Sequence, residues 1–298
     1  MPSANGCACR AAAGLAAAAL MLATAAVPAS SQRTSFGAGP RPALFWAVNT
    51  VTAMLSGWAQ GRRAGAPVHR AAIGGLVGGT LMYAGQRLIG TGKPGLRVAG
   101  LETVAAGASV TRNIALGSGP LSDLTFVVFP FYIRMRPRGE DRLSVRLSAA
   151  ALFSAIHAGI GYRTLPDLRE SLLTGAPVFA VDGPVLECLS PLCTVRVVGR
   201  HQFGAIAHAT GGDDCLCHET IHLAQDIRDA LLYAVPASDL LLEHCGAPGR
   251  FLSRFIAVDG FLPMMFLNAG INGGRIDQAC RGGGGFYECE ANALAHSR

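Results

Sequence analysis

Charge is scarce in this sequence. Only 15% of its 298 residues are Asp, Glu, Lys or Arg, half are hydrophobic, and the mean hydropathy is +0.35. No Lys/Arg run carries interleaved aromatics. The positive charge is scattered as Arg62, Arg63, Arg134, Arg136, Arg138, Arg196 and Arg200, a pattern that argues against a nucleic-acid partner and for weak attraction to anionic lipid headgroups. Long apolar runs are also missing after the N-terminus: the best one, within 71–89, is broken at Gln86 and Arg87 and is short of a full membrane span. A helical hairpin, buried or lying on a membrane surface, is the expectation there rather than two crossings. No internal repeat is present, and the length suits one large or two small domains.

The N-terminus reads as an export signal. Arg10 precedes an apolar Ala/Leu/Met run from Ala11 to Val27, and small residues at Val27-Pro28-Ala29-Ser30 suit cleavage; retention as an anchor helix is the alternative. No Cys follows at a lipoprotein-like position. The expected location is therefore exported, periplasmic or membrane-associated, an oxidising setting for the cysteines. Cys188 and Cys193 flank a short Leu-Ser-Pro-Leu turn and are the disulfide candidates; seven cysteines after the signal leave an odd thiol.

Read in order, residues 1–29 form the signal or anchor and 30–120 a Gly-rich apolar helical region. Within it, 30–42 is a linker, and helices are predicted over 44–60 and 71–89. Gly74-Gly75 and Gly78-Gly79 are spaced for close helix approach. Residues 121–298 form a β-sheet plus metal-binding domain. Leu124–Met135 and Leu143–Ser148 alternate as a β-hairpin with one buried and one Arg/Ser face. Ala149–Ile156 and Pro166–Leu173 read as helical, and Pro177–Val181, Thr194–Val198 and Gly204–Ala209 as strands. Asp213 or Asp214 then caps a helix from Cys215 to Val235, which ends at Pro236. A last helix is predicted over Phe286–Leu294. The fold class is α+β: an N-terminal helical hairpin, a central antiparallel sheet and a C-terminal helical part.

Chemistry concentrates in His218-Glu219-Thr220-Ile221-His222. On a helix, histidines four apart lie one turn above the other, so both imidazoles reach one metal ion and Glu219 reaches a water beside it. Gln225 and Asp226, one turn on, share that face. A catalytic zinc site needs a third protein ligand. The H-E-x-x-H-x-x-G-x-x-H solution is absent, because Gln225 and Arg228 stand at its Gly and His positions. A later glutamate is the other solution, and Glu243 (beside His244), Glu288 and Glu290 all qualify. Against these readings, His218 and His222 are also acceptable as plain polar residues on a helix face. Cys215 and Cys217 suit a disulfide or buried thiols, His201 and His208 a sheet surface, and Tyr287 a core or rim position.

Glu288-Cys289-Glu290-Ala291-Asn292-Ala293-Leu294-Ala295 resembles the E-x-x-A-D-x-x-A helix of gluzincin membrane metallopeptidases, the prenyl-protein endopeptidase and heat-shock membrane protease group. The likeness spans this octapeptide and the pentapeptide. It implies Zn²⁺ held by His218, His222 and Glu288, with Glu219 as the catalytic base. Asn292 stands where the family has Asp, so it supports a ligand histidine without charge. The implied function is zinc-dependent hydrolysis of a peptide or protein substrate in the bacterial cell envelope. The alternative is a catalytically inert membrane-associated structural or binding protein with a zinc-stabilised helix pair, and a third is an envelope module without metal.

Overall fold

The computed structural model of the chain describes residues 42–138, 142–182, 185–190, 193–197, 199–202, 204–209, 213–232, 246–252, 254–257 and 286–295. The export segment, Glu243, His244 and the 281–285 glycine loop lie outside these residues. So do the side chains of Cys188, Cys193, His201, Cys215, Tyr287, Glu288 and Asn292, although their backbones are described. The fold is α+β, and helices dominate it.

Three helices, rather than a hairpin, open the described chain: α1 (Pro42–Arg63), α2 (Val68–Gly90) and α3 (Pro94–Ala115), packed in that order with α2 between its neighbours. Pro94 sits in the first turn of α3, where its missing N–H has no helical partner to lose. The paired glycines of α2 explain the close packing. Successive residues point about 100° apart on a helix, so each pair serves two neighbours at once. Gly75 and Gly79 lie against Met54 and Thr50 of α1, and Gly74 and Gly78 against Thr111 and Gly107 of α3. A β-carbon on Gly78 would run into the Gly107 carbonyl, so only glycine permits this approach.

Among the described residues, the expected single antiparallel sheet is three small ones. β1 (Leu124–Val128), β2 (Phe131–Met135) and β3 (Leu143–Ser148) pair antiparallel, and β9 (Ile256–Ala257) adds parallel to β3. α4 (Ala149–Tyr162), with its Ser148 cap, and α5 (Leu168–Thr174), capped by Asp167, lead to β4 (Val178–Val181). β5 (Val185–Ser190) and β6 (Cys193–Val197) make a two-stranded ribbon that sets Cys188 opposite Thr194 and Ser190 opposite Cys193. β7 (Gly199–Gln202) and β8 (Ala205–Ala209) complete a sheet in the order β4-β8-β7, with β4 and β8 parallel. His208, on that central strand, is buried rather than on a sheet surface.

The faces of the first sheet are the reverse of the expected arrangement. Thr125, Val127, Tyr132, Arg134, Arg146 and Ser148 share the face toward α3, where Val127 and Tyr132 join the core, while Phe131, Ile133, Met135, Leu143, Val145 and Leu147 point away. The reason lies at Asp123. Its carboxylate accepts from Arg134 Nε at 2.7 Å and also pairs with Arg112 of α3 and with Arg136. Burial alone would raise the Asp123 pKa, but the Arg134 hydrogen bond and the three guanidinium charges outweigh it and hold it below its ordinary value.

α6 (Asp213–Leu232), which carries the pentapeptide, packs against α3, α2, β7 and β8, and α7 (Gly246–Leu252) and α8 (Phe286–Ala295) follow it. One apolar core joins Met82 and Ile89 of α2, Leu101 and Val104 of α3, Leu216, Ile221 and Ile227 of α6, and Leu294 of α8. Each such side chain contributes about 1.5–3 kcal/mol on burial.

Candidate metal centre

From Leu216 to Leu232, α6 is buried almost all round, with only His218, Asp226 and Leu231 partly open. His218, His222 and Asp226 fall on one side of it, so the partly open stripe is also the stripe of potential ligands. The two imidazoles converge. Their rings stand nearly perpendicular (80°), with centroids 4.7 Å apart and the Nε2 atoms 3.0 Å apart. Two imidazole nitrogens bound tetrahedrally to one zinc at the usual 2.0–2.1 Å would stand about 3.3 Å apart, so a few tenths of an ångström separate this pair from a bound one. Glu219, between them in sequence, is 6% exposed.

The orientation of His222 is set from behind. Its Nδ1 lies 2.8 Å from Gln225 Oε1, and Gln225 Nε2 donates to Glu290 Oε2 at 2.9 Å. A carboxylate only accepts, so the Gln225 amide nitrogen must face Glu290 and its oxygen must face His222. His222 Nδ1 is then the N–H, and the Nε2 lone pair is aimed at His218. That is the tautomer a metal needs, fixed by the outer partner of the imidazole.

Glu290 is the hub of a buried polar layer drawn from four helices. Its Oε1 accepts from Asn49 Nδ2 of α1 at 2.8 Å; its Oε2 accepts from Gln86 Nε2 of α2 and from Arg228 of α6, each at 3.3 Å. Arg228 also donates to Asn49 Oδ1 at 3.1 Å and to Asp229 at 2.8 Å. Glu290 and Gln86 are 0% exposed, and Arg228 and Asp229 are 2%. Burial together with the Glu290 charge lifts the Tyr83 phenol above its ordinary pKa, against the opposing charge of Arg87. With both oxygens engaged, Glu290 is an anchor for Gln225 and not a free ligand, which removes one of the three candidates for the third position.

Glu288 and Asn292 lie two residues to either side of Glu290 on α8. Among the described residues, no group of three His, Cys, Asp or Glu side chains could hold a metal ion. The described residues thus bring two imidazoles together, with the His222 tautomer set by Gln225. Cys217 is a buried thiol, not a disulfide, and its Sγ lies 3.0 Å from the Ile89 carbonyl oxygen. β8 is paired on both sides, whereas β7 is an edge of that sheet and packs against α6.

Sequence reasoning passed over Asn49, Gln86 and Arg228. The signal was nevertheless present: Asn49 and Gln86 interrupt otherwise apolar helices, and Arg228 is a charge within a buried helix. No family model, curated protein or solved structure matches the chain.

Proposed function

We propose that the chain is a zinc-dependent metallopeptidase of the cell envelope, with the His218–His222 pair as two of its ligands. The convergence of the two Nε2 atoms at 3.0 Å, with His222 held in the ligand tautomer by Gln225, carries this reading. Glu288 is the proposed third ligand, on the resemblance of its helix to the gluzincin pattern. Zinc bound there would act as a Lewis acid toward a peptide carbonyl and lower the pKa of a coordinated water. Glu219 takes the proton of the attacking water and returns it to the leaving amine. Its burial limits competing solvent, and Asp226 and Asn292 stand near the ligand residues in sequence to steady them. The edge strand β7 offers a peptide backbone a partner beside α6. An exported or membrane-associated location accords with the N-terminal apolar run.

The test is metal content and peptide hydrolysis of the parent and Glu219→Gln. The expected result is equal zinc in both and turnover in the parent alone. Equal turnover would sink the catalytic role of Glu219.

A second reading, a zinc-stabilised helix pair without catalysis, is favoured by one observation. The Glu290 layer already ties α6 to α1, α2 and α8, so the histidine pair sits on a structural junction. Zinc without hydrolysis in the parent would select it.

A further inference from the structure

The hydrogen bonds behind the histidine pair admit one order of protons. Glu290 is 0% exposed and accepts from Asn49 Nδ2, Gln86 Nε2, Gln225 Nε2 and Arg228 Nη1. A carboxylate has no N–H to give and a guanidinium has no lone pair, so the bonds cannot run the other way. Arg228 also donates to Asn49 Oδ1 at 3.1 Å, which keeps the Asn49 amide from turning over. Gln225 then points its oxygen at His222 Nδ1, 2.8 Å away. His222 must carry its N–H there, and its Nε2 is left as a lone pair. In the metal-free protein two Nε2 atoms 3.0 Å apart need one proton between them. His218 therefore supplies the Nε2–H.

The two imidazoles thus differ in kind. His222 is 5% exposed and its ring is held from behind by Gln225. His218 is partly open to water and carries its proton on the nitrogen that faces the pair. A metal ion binds an imidazole lone pair, so it can take His222 as it stands but not His218. For His218 to bind, its Nε2–H bond breaks and the proton passes to water, while water returns one to Nδ1. The ring stays neutral and no net proton is released. Only the partly open ring is placed for that exchange with solvent. We propose that Gln225, oriented by the buried Glu290 carboxylate, is a positioning residue that makes His222 the preset ligand and His218 the one that changes tautomer when a metal enters. The order of protons rests on hydrogen bonding alone; the metal step rests on the zinc reading.

The experiment is NMR of the full chain with isotope-labelled histidine rings, at a pH above the histidine range, where the Nδ1–H and Nε2–H tautomers give distinct signals. The metal-free parent should show His222 as Nδ1–H and His218 as Nε2–H. Added zinc should move His218 to the Nδ1–H form and leave the His222 tautomer unchanged. His218→Ala should keep His222 as Nδ1–H, because that proton is set by Gln225 and not by the neighbouring ring. Gln225→Ala should lose the preference, with the Nε2–H form of His222 rising from undetected to a comparable population. A merely structural role for Gln225 would not move that signal. His222 as Nε2–H in the metal-free parent overturns the proposal, and so does an unchanged His222 tautomer in Gln225→Ala. Zinc that alters neither ring overturns the zinc reading and the metal step with it, a failure told apart by metal-free tautomers that remain as stated.

Discussion

The helical core and the first sheet break the usual partition of polar and apolar residues in opposite directions. In the core, Asn49, Gln86, Gln225, Arg228, Asp229 and Glu290 are buried at 2% exposure or less, and each has a hydrogen-bond partner within the layer. On the sheet, Phe131, Met135, Leu143 and Val145 face outward and Arg134 and Arg146 face inward, beside the buried Val127. The first departure is closed by the chain itself. The second leaves an apolar surface that nothing on the opposite face of the sheet can satisfy. A buried polar group needs only a few well-placed partners, whereas an apolar face needs an extended surface against it.

The largest effect should come from opening the core layer. Glu290→Ala removes the acceptor of Asn49, Gln86, Gln225 and Arg228, and with it one of the acids paired with the buried Arg228 guanidinium. Breaking one side of a buried ion pair costs about 3–5 kcal/mol. Urea unfolding should show a loss of that size at unchanged m-value. A loss below about 1 kcal/mol would mean that the layer is incidental to stability.

The seam between the two regions supplies the next effect. Glu102 of α3 accepts from the Val127 N–H of β1 at 3.1 Å. Burial lifts its pKa from 4.5 to about 7, only partly opposed by that hydrogen bond. The folded chain therefore binds this proton more tightly than the unfolded chain does. Stability from this group is complete below pH 4.5 and declines as the pH rises to about 7, by roughly 3 kcal/mol in all. Glu102→Gln keeps an oxygen acceptor and has no charge to bury. It should be close to neutral at pH 4.5 and stabilising above pH 7. Parallel stability–pH curves for the two proteins would contradict this account of the seam.

How much of this was legible in the sequence follows from what each signal encodes. Period and punctuation located α1, α2, α6 and α8 within a few residues, because paired glycines, Pro236 and the loop glycines are local features. They missed α3 as a separate helix, and also β5 and β7, whose pairing partners are set by tertiary contacts. The alternation in 124–148 gave the β2–β3 pairing, but not the turn at Phe129-Pro130 that folds 124–135 into two strands, nor which face turns inward. That choice is made by Asp123 and by Arg112 on another helix, and no period records them. At the candidate site, the i, i+4 spacing of His218 and His222 foretold their convergence. The Gln225 and Arg228 that reject the H-E-x-x-H-x-x-G-x-x-H pattern turned out to be the residues that wire α6 into the core.

The smallest effect, and the most direct question about the site, concerns Gln225. Its amide is the link between the core layer and His222: Oε1 takes the imidazole Nδ1–H, and Nε2 is held by Glu290. If His222 is a zinc ligand, Gln225→Ala frees the ring to rotate and to exchange tautomers. Loss of such an outer partner typically weakens metal binding by about ten- to a hundred-fold, or roughly 1.4–2.7 kcal/mol. Competition with a chromophoric chelator should show that drop while the urea midpoint moves much less than in Glu290→Ala. A variant that holds zinc as tightly as the parent would show that Gln225 does not hold His222 for a metal.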